Sequence, residues 1–265
     1  MTQQRVYSFQ DRTYLLGKEV QMYGFNVIIE GDYACFTRPE FKVERLSYDV
    51  PTPGSIEGML KSIYWKPAIR YVVDKIVVFK PVRFETFTRN EVSSKLSWAA
   101  VKARMEEETP EKDICIYTNE VRSQRSSTVL KDVRYGISFH FELTGIRSEE
   151  EADQGEEKHY NIIRRRLLNG QFFSGPYLGC REFAVKRIDM VSSFNLEEIS
   201  EDVRRMGDVD LGYMLYGMSF RDGGIPINGD FDNPVYSNEA DPIFYRPHMI
   251  EGIIDVAEYR RTRRC

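Results

Sequence analysis

The sequence predicts an α+β fold in which an N-terminal RRM-like (ferredoxin-like) domain with an insertion is followed by a small β-rich C-terminal domain. Two observations support this prediction. Between residues 23 and 190 the apolar pattern has the order strand, helix, strand, insertion, strand, helix, strand, which is the split β-α-β plan. After residue 190 only short strand patterns and turns remain. We therefore expect an N-terminal extension over residues 1–22, an RRM-like domain over residues 23–190 and a C-terminal domain over residues 191–265.

The first half of the predicted RRM-like domain contains a strand, a helix and a second strand. Apolar residues alternate over Phe25–Glu30, which is typical of a half-buried strand, and Gly31-Asp32 is expected to end it. Apolar residues then recur at helical spacing over Ile56–Ile63, with Ser55 as the expected N-cap. The run Ile69–Phe79 is rich in β-branched and aromatic residues, so it predicts the second strand.

The second half follows an insertion over residues 81–125, in which only Lys95–Glu108 has a helical pattern. A long strand is predicted over Val129–Leu143, with one apolar face for the core and one polar face. Lys158–Leu168 has the apolar spacing of a second helix, and Cys180–Met190 predicts the last strand of the domain. These elements complete the split β-α-β order.

The composition excludes several classes of protein. The chain has 265 residues, 42% of them hydrophobic, which is enough for a core without metal or disulfide support. No apolar run approaches the about 18 residues of a membrane-spanning helix, and the first residues are too polar for a signal peptide. We therefore expect a cytoplasmic protein without membrane contact. The four cysteines lack C-x-x-C spacing, which indicates reduced thiols rather than a zinc site or disulfides.

The charges are unevenly distributed along the chain, although the net charge is only −4. Acidic residues are concentrated in two segments, residues 149–157 and 197–210, and the remainder of the chain is basic. Several basic clusters together favour an anionic partner, although each cluster alone is typical of a solvated surface. The basic clusters are Arg38, Lys42 and Arg45; Arg122 and Arg125; Arg164, Arg165 and Arg166; and Arg260, Arg261, Arg263 and Arg264.

The sequence lacks the common motifs of nucleotide-dependent, serine and zinc enzymes. There is no G-x-x-x-x-G-K-[ST], G-x-S-x-G or H-E-x-x-H and no dinucleotide fingerprint, and three histidines without paired acids do not predict a metal site. We therefore expect no cofactor. A four-stranded sheet with basic and aromatic residues at its edges is a common surface for single-stranded RNA. RNA carries its own 2′-hydroxyl nucleophile, so tyrosine, arginine, lysine and histidine suffice to cleave it.

Six groups of residues occur in an order that one known family shares. They are Gly31–Glu40; Val43–Pro53; Ile63–Arg70; Arg122–Arg125 with Leu130–Tyr135; Lys158-His159 with Arg164–Arg166 and Gly170-Gln171; and Tyr177–Phe183. This pattern resembles the fifth CRISPR-associated family, subtype I-C, and covers most of the chain from about Tyr23 onward.

The resemblance implies a metal-independent endoribonuclease that cleaves precursor CRISPR RNA within repeat hairpins, leaving a cyclic phosphate on one product and a 5′-hydroxyl on the other. It also implies that the protein stays bound to the 5′ handle of the guide, as a subunit of the type I-C surveillance complex beside the backbone and large subunits. Some members also bind duplex DNA, which the sequence neither supports nor excludes. The alternative is a non-catalytic RNA-binding subunit that caps the 5′ handle of the guide.

The resemblance also assigns candidate catalytic residues. Tyr48 matches the tyrosine that the family uses in cleavage, as the base or as a group that positions the nucleophile; packing of a loop tyrosine against the first helix is the structural alternative. A phenol is a poor base unless a nearby cation such as Lys42 or Arg45 lowers its pKa.

The family's adjacent lysine and histidine correspond by chain order to Gln124-Arg125-Ser126. Arg125 keeps the positive charge, but Ser126 cannot transfer a proton as an imidazole does. His159 belongs to the single Lys-His pair of the chain and is therefore the candidate proton-transfer group, unless it is a surface or helix-capping residue. His140 is expected to be structural. The candidate RNA-binding residues are Lys42, Arg45, Arg122, Lys131, Arg134 and Lys158.

Overall fold

A nine-stranded, largely antiparallel sheet dominates the computed structural model, which describes residues 13–15, 18–20, 24–41, 43–106, 115–145, 155–223, 227–230 and 235–263. The strands are β1 (Thr13–Leu15), β2 (Lys18–Val20), β3 (Gly24–Ala34), β4 (Arg45–Leu46), β5 (Ile69–Val78), β6 (Phe84–Val92), β7 (Arg122–Leu143), β8 (Arg187–Val191), β9 (Asp208–Asp210), β10 (Met214–Phe220), β11 (Ala240–Tyr245), β12 (His248–Ile250) and β13 (Ile253–Asp255). The helices are α1 (Pro53–Ile63), α2 (Trp98–Glu106), α3 (Glu156–Asn169), α4 (Glu201–Arg205) and α5 (Val256–Arg263).

Strand β7 is the central element of this sheet because four other strands pair with it. Its C-terminal half lies between β3 and β5, and its N-terminal half pairs with β6 and, at Ser127 and Thr128, with β4. The sequence predicted β7 only from Val129 onward and read the preceding residues as an insertion. The insertion instead contributes β6, whose residues alternate between exposed and half-buried positions and include few apolar side chains.

The helices α1 and α3 contribute to the main hydrophobic core. Ile56, Met59, Leu60 and Ile63 of α1 and Ile163 of α3 are buried in it together with apolar residues of β3, β5 and β7. Both predicted helices are therefore confirmed.

The predicted N-cap of α1 is wrong. The hydroxyl of Thr52 accepts a hydrogen bond from the Ser55 N–H at 3.2 Å, so Thr52 caps the helix and Pro53 occupies its first turn.

The strand predicted at Phe25–Glu30 does not end at Gly31-Asp32 but continues to Ala34. Gly31 allows a close approach there, because a Cβ atom at this position would lie 2.3 Å from the Leu178 side chain. The last strand of the predicted domain is shorter than expected. Cys180 and Phe183 are joined by a turn, with the Phe183 N–H donating to the Cys180 carbonyl at 3.0 Å, and β8 begins only at Arg187.

The C-terminal segment extends the same sheet. Strand β13 pairs with β5, β12 pairs with β13, and β9 pairs with β12, whereas β10 and β11 form a separate two-stranded sheet. The α+β prediction is confirmed as a mixed fold with a large antiparallel sheet and few helices. The described helices include none that is long and apolar enough to cross a membrane.

The second face of β7 is also covered, although the sequence predicted it to be the polar, open face. Ser138 and His140 on this face are buried. The His140 Nδ1 atom lies 2.7 Å from a carboxylate oxygen of Asp74, and the other oxygen of Asp74 binds Arg260 of α5. A buried carboxylate therefore links the helix α5 to β5 and β7, and the structural role predicted for His140 is supported by this contact.

This buried pair makes the stability of the protein depend on pH. Burial alone would lower the pKa of His140, but hydrogen bonds and charge from Asp74 and Glu142 outweigh burial and raise it to about 9. Because the folded-state pKa exceeds the unfolded value of about 6.5, the stabilisation is complete below about pH 6.5 and disappears as the pH rises through about 9. We expect the free energy of unfolding to fall by about 3 kcal/mol over this interval, at about 1.4 kcal/mol per pKa unit.

Chemical denaturation at a series of pH values measures this dependence, with His140→Gln as the comparison. The glutamine variant should be less stable at pH 6 and should show a much flatter profile. An unchanged slope in this variant would assign the pH dependence to another group.

Candidate functional site

Tyr48 lies between β4 and α1, and its side chain is only 1% exposed. Its N–H donates to the Phe36 carbonyl at 2.8 Å, and its hydroxyl oxygen accepts a hydrogen bond from the Leu215 N–H at 3.2 Å. The Arg38 guanidinium lies over the ring, 4.7 Å from its centroid. Tyr48 therefore connects the edge of the large sheet with the start of β10.

The environment of Tyr48 favours a protonated phenol. Burial raises its pKa above the ordinary value, and the opposing effects of the Leu215 N–H and of Arg38 are smaller. Arg45, which the sequence placed beside this phenol as an activating cation, instead binds two glutamates, and Lys42 lies outside the described residues. A protonated phenol is a hydrogen-bond donor, so positioning or proton donation fits this environment better than a base. Tyr48 is also buried in the same core as α1, which is the arrangement that the structural alternative predicts.

Three arginines from three strands meet next to this segment, and we call them the arginine cluster. They are Arg45 in β4, Arg89 in β6 and Arg125 in β7. Arg45 binds Glu182 at 2.5 Å and Glu91 at 3.3 Å, Arg89 binds Glu182 at 2.6 Å, and Arg125 lies 3.6 Å from Glu91. Three positive charges thus share two carboxylates on a half-buried surface.

The strand pairing explains why these arginines meet. Arg89 and Arg125 are directly opposite each other in the antiparallel β6–β7 pair, and Arg45 pairs with Ser127, two residues along β7. Like charges in opposite positions repel, so the two glutamates are needed to hold the arginines together. A hydrogen bond from Cys35 lowers the pKa of the nearby Cys180 thiol to about 7, and the positive charge of Arg45 adds to this effect against the opposing effect of burial.

The arginine cluster is suited to binding phosphate. Each guanidinium has a planar set of donors that can hold two phosphate oxygens, and a phosphate can replace the glutamate oxygens as their partner. The Nε atoms of Arg89 and Arg125 are buried and have no hydrogen-bond partner among the described residues. The exposed guanidinium donors of the cluster therefore have the chemistry that a phosphate ligand requires.

The sequence indicated only part of this cluster. Arg45 and Arg125 were among the candidates, whereas Arg89, Glu91 and Glu182 were missed. The available signal was that Glu85, Phe87, Arg89 and Glu91 occupy every second position of one segment. Residues two apart lie on the same face of a strand, so the spacing places these side chains together.

The other predicted RNA-binding residues are distributed over a larger area. Arg122 is exposed at the start of β7, and Lys158 lies in the first turn of α3. Lys131 binds Glu85 at 2.7 Å. Arg134 lies over the Phe79 ring and binds Glu30 at 2.9 Å and Glu198 at 2.6 Å.

His159 is fully buried, so it is neither a surface residue nor an exposed helix cap. Its Nδ1 atom lies 2.9 Å from the Tyr64 hydroxyl, and its ring packs against Phe141. Phe141 and Arg125 stand sixteen residues apart on β7, roughly 50 Å along an extended strand. The structure therefore brings Arg125 and Tyr48 to one end of β7 and His159 to the other, and His159 does not complete a catalytic group with Arg125.

The position of His159 predicts an effect on stability rather than on cleavage. His159→Ala leaves a cavity and removes one hydrogen-bond partner of the Tyr64 hydroxyl, so we expect a loss of about 2–4 kcal/mol in the free energy of unfolding. Tyr64→Phe removes the same hydrogen bond but keeps the ring, and should cost about 1 kcal/mol. Thermal unfolding measures both. RNA cleavage by folded His159→Ala protein at low temperature should equal that of the wild type; a hundredfold loss there would restore the catalytic assignment.

Metal ligands form no cluster in the part of the chain that the structure describes: no group of three or more His, Cys, Asp or Glu side chains could hold a metal ion there.

Comparison with known proteins gives a consistent family relationship. A family model described as CRISPR-associated protein (Cas_Cas5) matches residues 26–257. A protein of Mannheimia succiniciproducens named CRISPR pre-crRNA endoribonuclease Cas5d is 40% identical over 233 residues, which cover 87% of this chain and 93% of the relative. A protein of the same name from Thermus thermophilus is 34% identical over 235 residues, 87% of this chain and 90% of the relative.

Two solved structures have a similar fold. One is described as a CRISPR-associated protein, with a TM-score of 0.55 and 24% identity over 88% of this chain and 90% of the other. The second is a functionally uncharacterized protein from Streptococcus mutans, with the same TM-score and identity over 88% of this chain and 91% of the other. At this level of identity the similarity supports the fold alone.

Proposed function

Because the chain belongs to the CRISPR-associated Cas5 family, we propose that it is an endoribonuclease that cleaves precursor CRISPR RNA. The observation that carries this proposal is the 40% identity, over most of both chains, with a protein named for that activity. The arginine cluster adds a surface with the chemistry that RNA phosphates require.

We propose that cleavage uses the 2′-hydroxyl of the RNA and needs no metal ion. The 2′-hydroxyl loses its proton to water, and its oxygen forms a bond to the adjacent phosphorus while the bond from phosphorus to the 5′-oxygen breaks. The departing 5′-oxygen takes up a proton from water, so the products are a 2′,3′-cyclic phosphate and a 5′-hydroxyl. The arginine cluster stabilises the charge that develops on the phosphate oxygens. We propose that the protonated Tyr48 donates a hydrogen bond to the reacting group once the segment that carries Leu215 moves off its hydroxyl, because the side chain is only 1% exposed in the free protein. Arg125 is the cation that chain order in the family pattern predicts.

Two further proposals concern the fold and the partners. The order β8-β3-β7-β5, which begins at one edge of the sheet, supports an RRM-like domain within residues 23–190, with residues 191–265 as a C-terminal unit. We also propose that the protein remains on the 5′ handle of the guide in a type I-C surveillance complex, next to its backbone and large subunits. Binding of duplex DNA and a cytoplasmic location stay predictions.

The test is incubation of the purified protein with its repeat RNA in EDTA, with a matched RNA that carries a 2′-deoxynucleotide at the cut. Cleavage at one position that persists in EDTA and disappears with the 2′-deoxy substrate supports the proposal. Cleavage that requires a divalent ion contradicts the metal-independent mechanism. Tight binding without cleavage favours the alternative, a non-catalytic subunit that caps the 5′ handle.

A further inference from the structure

A cleft of about 860 Å³ lies beside the C-terminal end of α1 and is lined by aromatic and basic side chains. Trp65 and Phe173 line it and are 46% and 86% exposed, although large aromatic side chains are usually buried. We call this region the aromatic cleft. Neighbouring exposed aromatic residues commonly mark a binding surface.

The aromatic cleft is held in place by backbone contacts. The Ser62 carbonyl accepts hydrogen bonds from the N–H groups of Phe173 and Ser174, both at 3.0 Å. The guanidinium of Arg166 lies over the Tyr64 ring, 5.2 Å from its centroid, and donates to the Ile63 carbonyl. The exposed ring of Phe173 is therefore carried by a segment that is anchored to α1. Because this segment is already ordered, ligand binding costs little conformational entropy.

The charge of the aromatic cleft is positive. Its cationic lining residues are Lys61, Lys66, Arg166 and Arg181, and no carboxylate lines it in the described part of the chain. A cleft that combines aromatic faces with positively charged side chains fits a polyanion with flat bases.

We propose that the aromatic cleft binds a single-stranded segment of RNA, with bases stacked on Trp65 and Phe173 and phosphates next to the cations. The proposal rests on the proposed function, because the segment would be an unpaired part of the repeat transcript. Protein interfaces share the aromatic and arginine content of this cleft, but they are depleted in lysine, which here supplies half of the cations, so RNA is the better fit.

The two tryptophans of the chain allow a direct test. In a Trp98→Phe variant the tryptophan fluorescence, excited selectively over that of tyrosine, comes from Trp65 alone, and a short single-stranded RNA oligonucleotide should quench it. In the matched Trp65→Phe variant, which retains only Trp98, the same oligonucleotide should produce much less quenching. Unchanged Trp65 fluorescence at oligonucleotide concentrations that saturate binding, measured by anisotropy, would overturn the proposal.

Affinity measurements provide an independent readout. Phe173→Ala should weaken binding of the oligonucleotide about tenfold, whereas Tyr213→Ala, which removes another exposed aromatic side chain outside the cleft, should not. Arg181→Ala should reduce the slope of log affinity against log salt by about 0.7, the value for one phosphate contact to a single strand. The proposal would be rejected if all variants bind the oligonucleotide with equal affinity and equal salt dependence. It would also be rejected if the cleft variants lose association with another protein while their RNA binding is unchanged.

The same proteins separate this inference from the proposed nuclease. Cleavage of repeat RNA without quenching of Trp65 would refute RNA binding by the aromatic cleft and leave the proposed nuclease activity unaffected. Quenching without cleavage in any variant or in the wild type would refute the nuclease and leave the cleft as an RNA-binding surface.

Discussion

Tyr48→Phe should reduce the rate of repeat RNA cleavage at least a hundredfold, while the protein remains folded and still binds RNA. Positioned proton donors and acceptors typically contribute about 10²–10⁴ to a rate, and the phenylalanine ring retains every contact of Tyr48 except those of the hydroxyl. The hydroxyl accepts the Leu215 N–H, so its removal should also cost about 1 kcal/mol of stability. Single-turnover cleavage with labelled RNA measures the first effect and thermal unfolding the second.

The matched control is Tyr71→Phe. Tyr71 is as buried as Tyr48, and its hydroxyl donates to the Tyr64 carbonyl at 2.7 Å, so this variant also loses one buried hydrogen bond. It should lose comparable stability and keep its cleavage rate. Wild-type cleavage by Tyr48→Phe, or an equal loss of cleavage in both variants, would show that the hydroxyl of Tyr48 has no specific function in the reaction.

The raised pKa of Tyr48 adds a prediction about pH within the same experiment. Because the pKa lies above its ordinary value of about 10, the phenol remains protonated throughout the range in which the protein can be assayed. A base would make the rate rise with pH as it ionises, whereas a proton donor would not. The wild-type rate should therefore not increase between pH 8 and 9.5 through ionisation of Tyr48.

Residue periodicity predicted those parts of the fold in which burial controls the pattern. The strands β3 and β5 and the helices α1 and α3 have apolar residues at regular spacing, because one face of each packs into a shared core. Strand β6 was missed for the opposite reason. Its Phe87 and Arg89 are only partly covered, and much of its pairing is with the equally polar N-terminal half of β7, so no apolar stripe marks it.

The site was harder to predict than the fold because it is formed by contacts between distant segments. Arg45 and Arg125 were chosen from their basic surroundings and the family pattern. Glu182 was not, because its role depends on a loop that approaches β4 only in the folded chain. His159 shows the reverse error. A histidine beside a lysine suggested a proton-transfer role, but the side chain lies on the face of α3 that packs into the core, against Phe141.

Removing a positive charge from the arginine cluster should have the second large effect on function. Arg125→Ala leaves Glu91 with one cationic partner fewer and removes a guanidinium from the proposed phosphate site. Loss of one preorganised donor to a developing oxyanion typically costs about 10²–10³ in rate, so we expect a loss of that size in cleavage and a smaller loss in RNA affinity. Single-turnover rates and anisotropy titrations at two salt concentrations measure both quantities.

Arg125→Lys and Arg205→Ala complete the comparison. Lysine keeps the charge but not the planar pair of donors, so Arg125→Lys should recover RNA affinity more fully than cleavage if two phosphate oxygens are held at once. Arg205 is an exposed arginine paired with Glu201 within α4, and its loss should change neither quantity. If Arg125→Lys restores both quantities completely, the site needs charge alone. If Arg125→Ala cleaves like Arg205→Ala, the cluster holds the strands together through its glutamates and takes no part in catalysis.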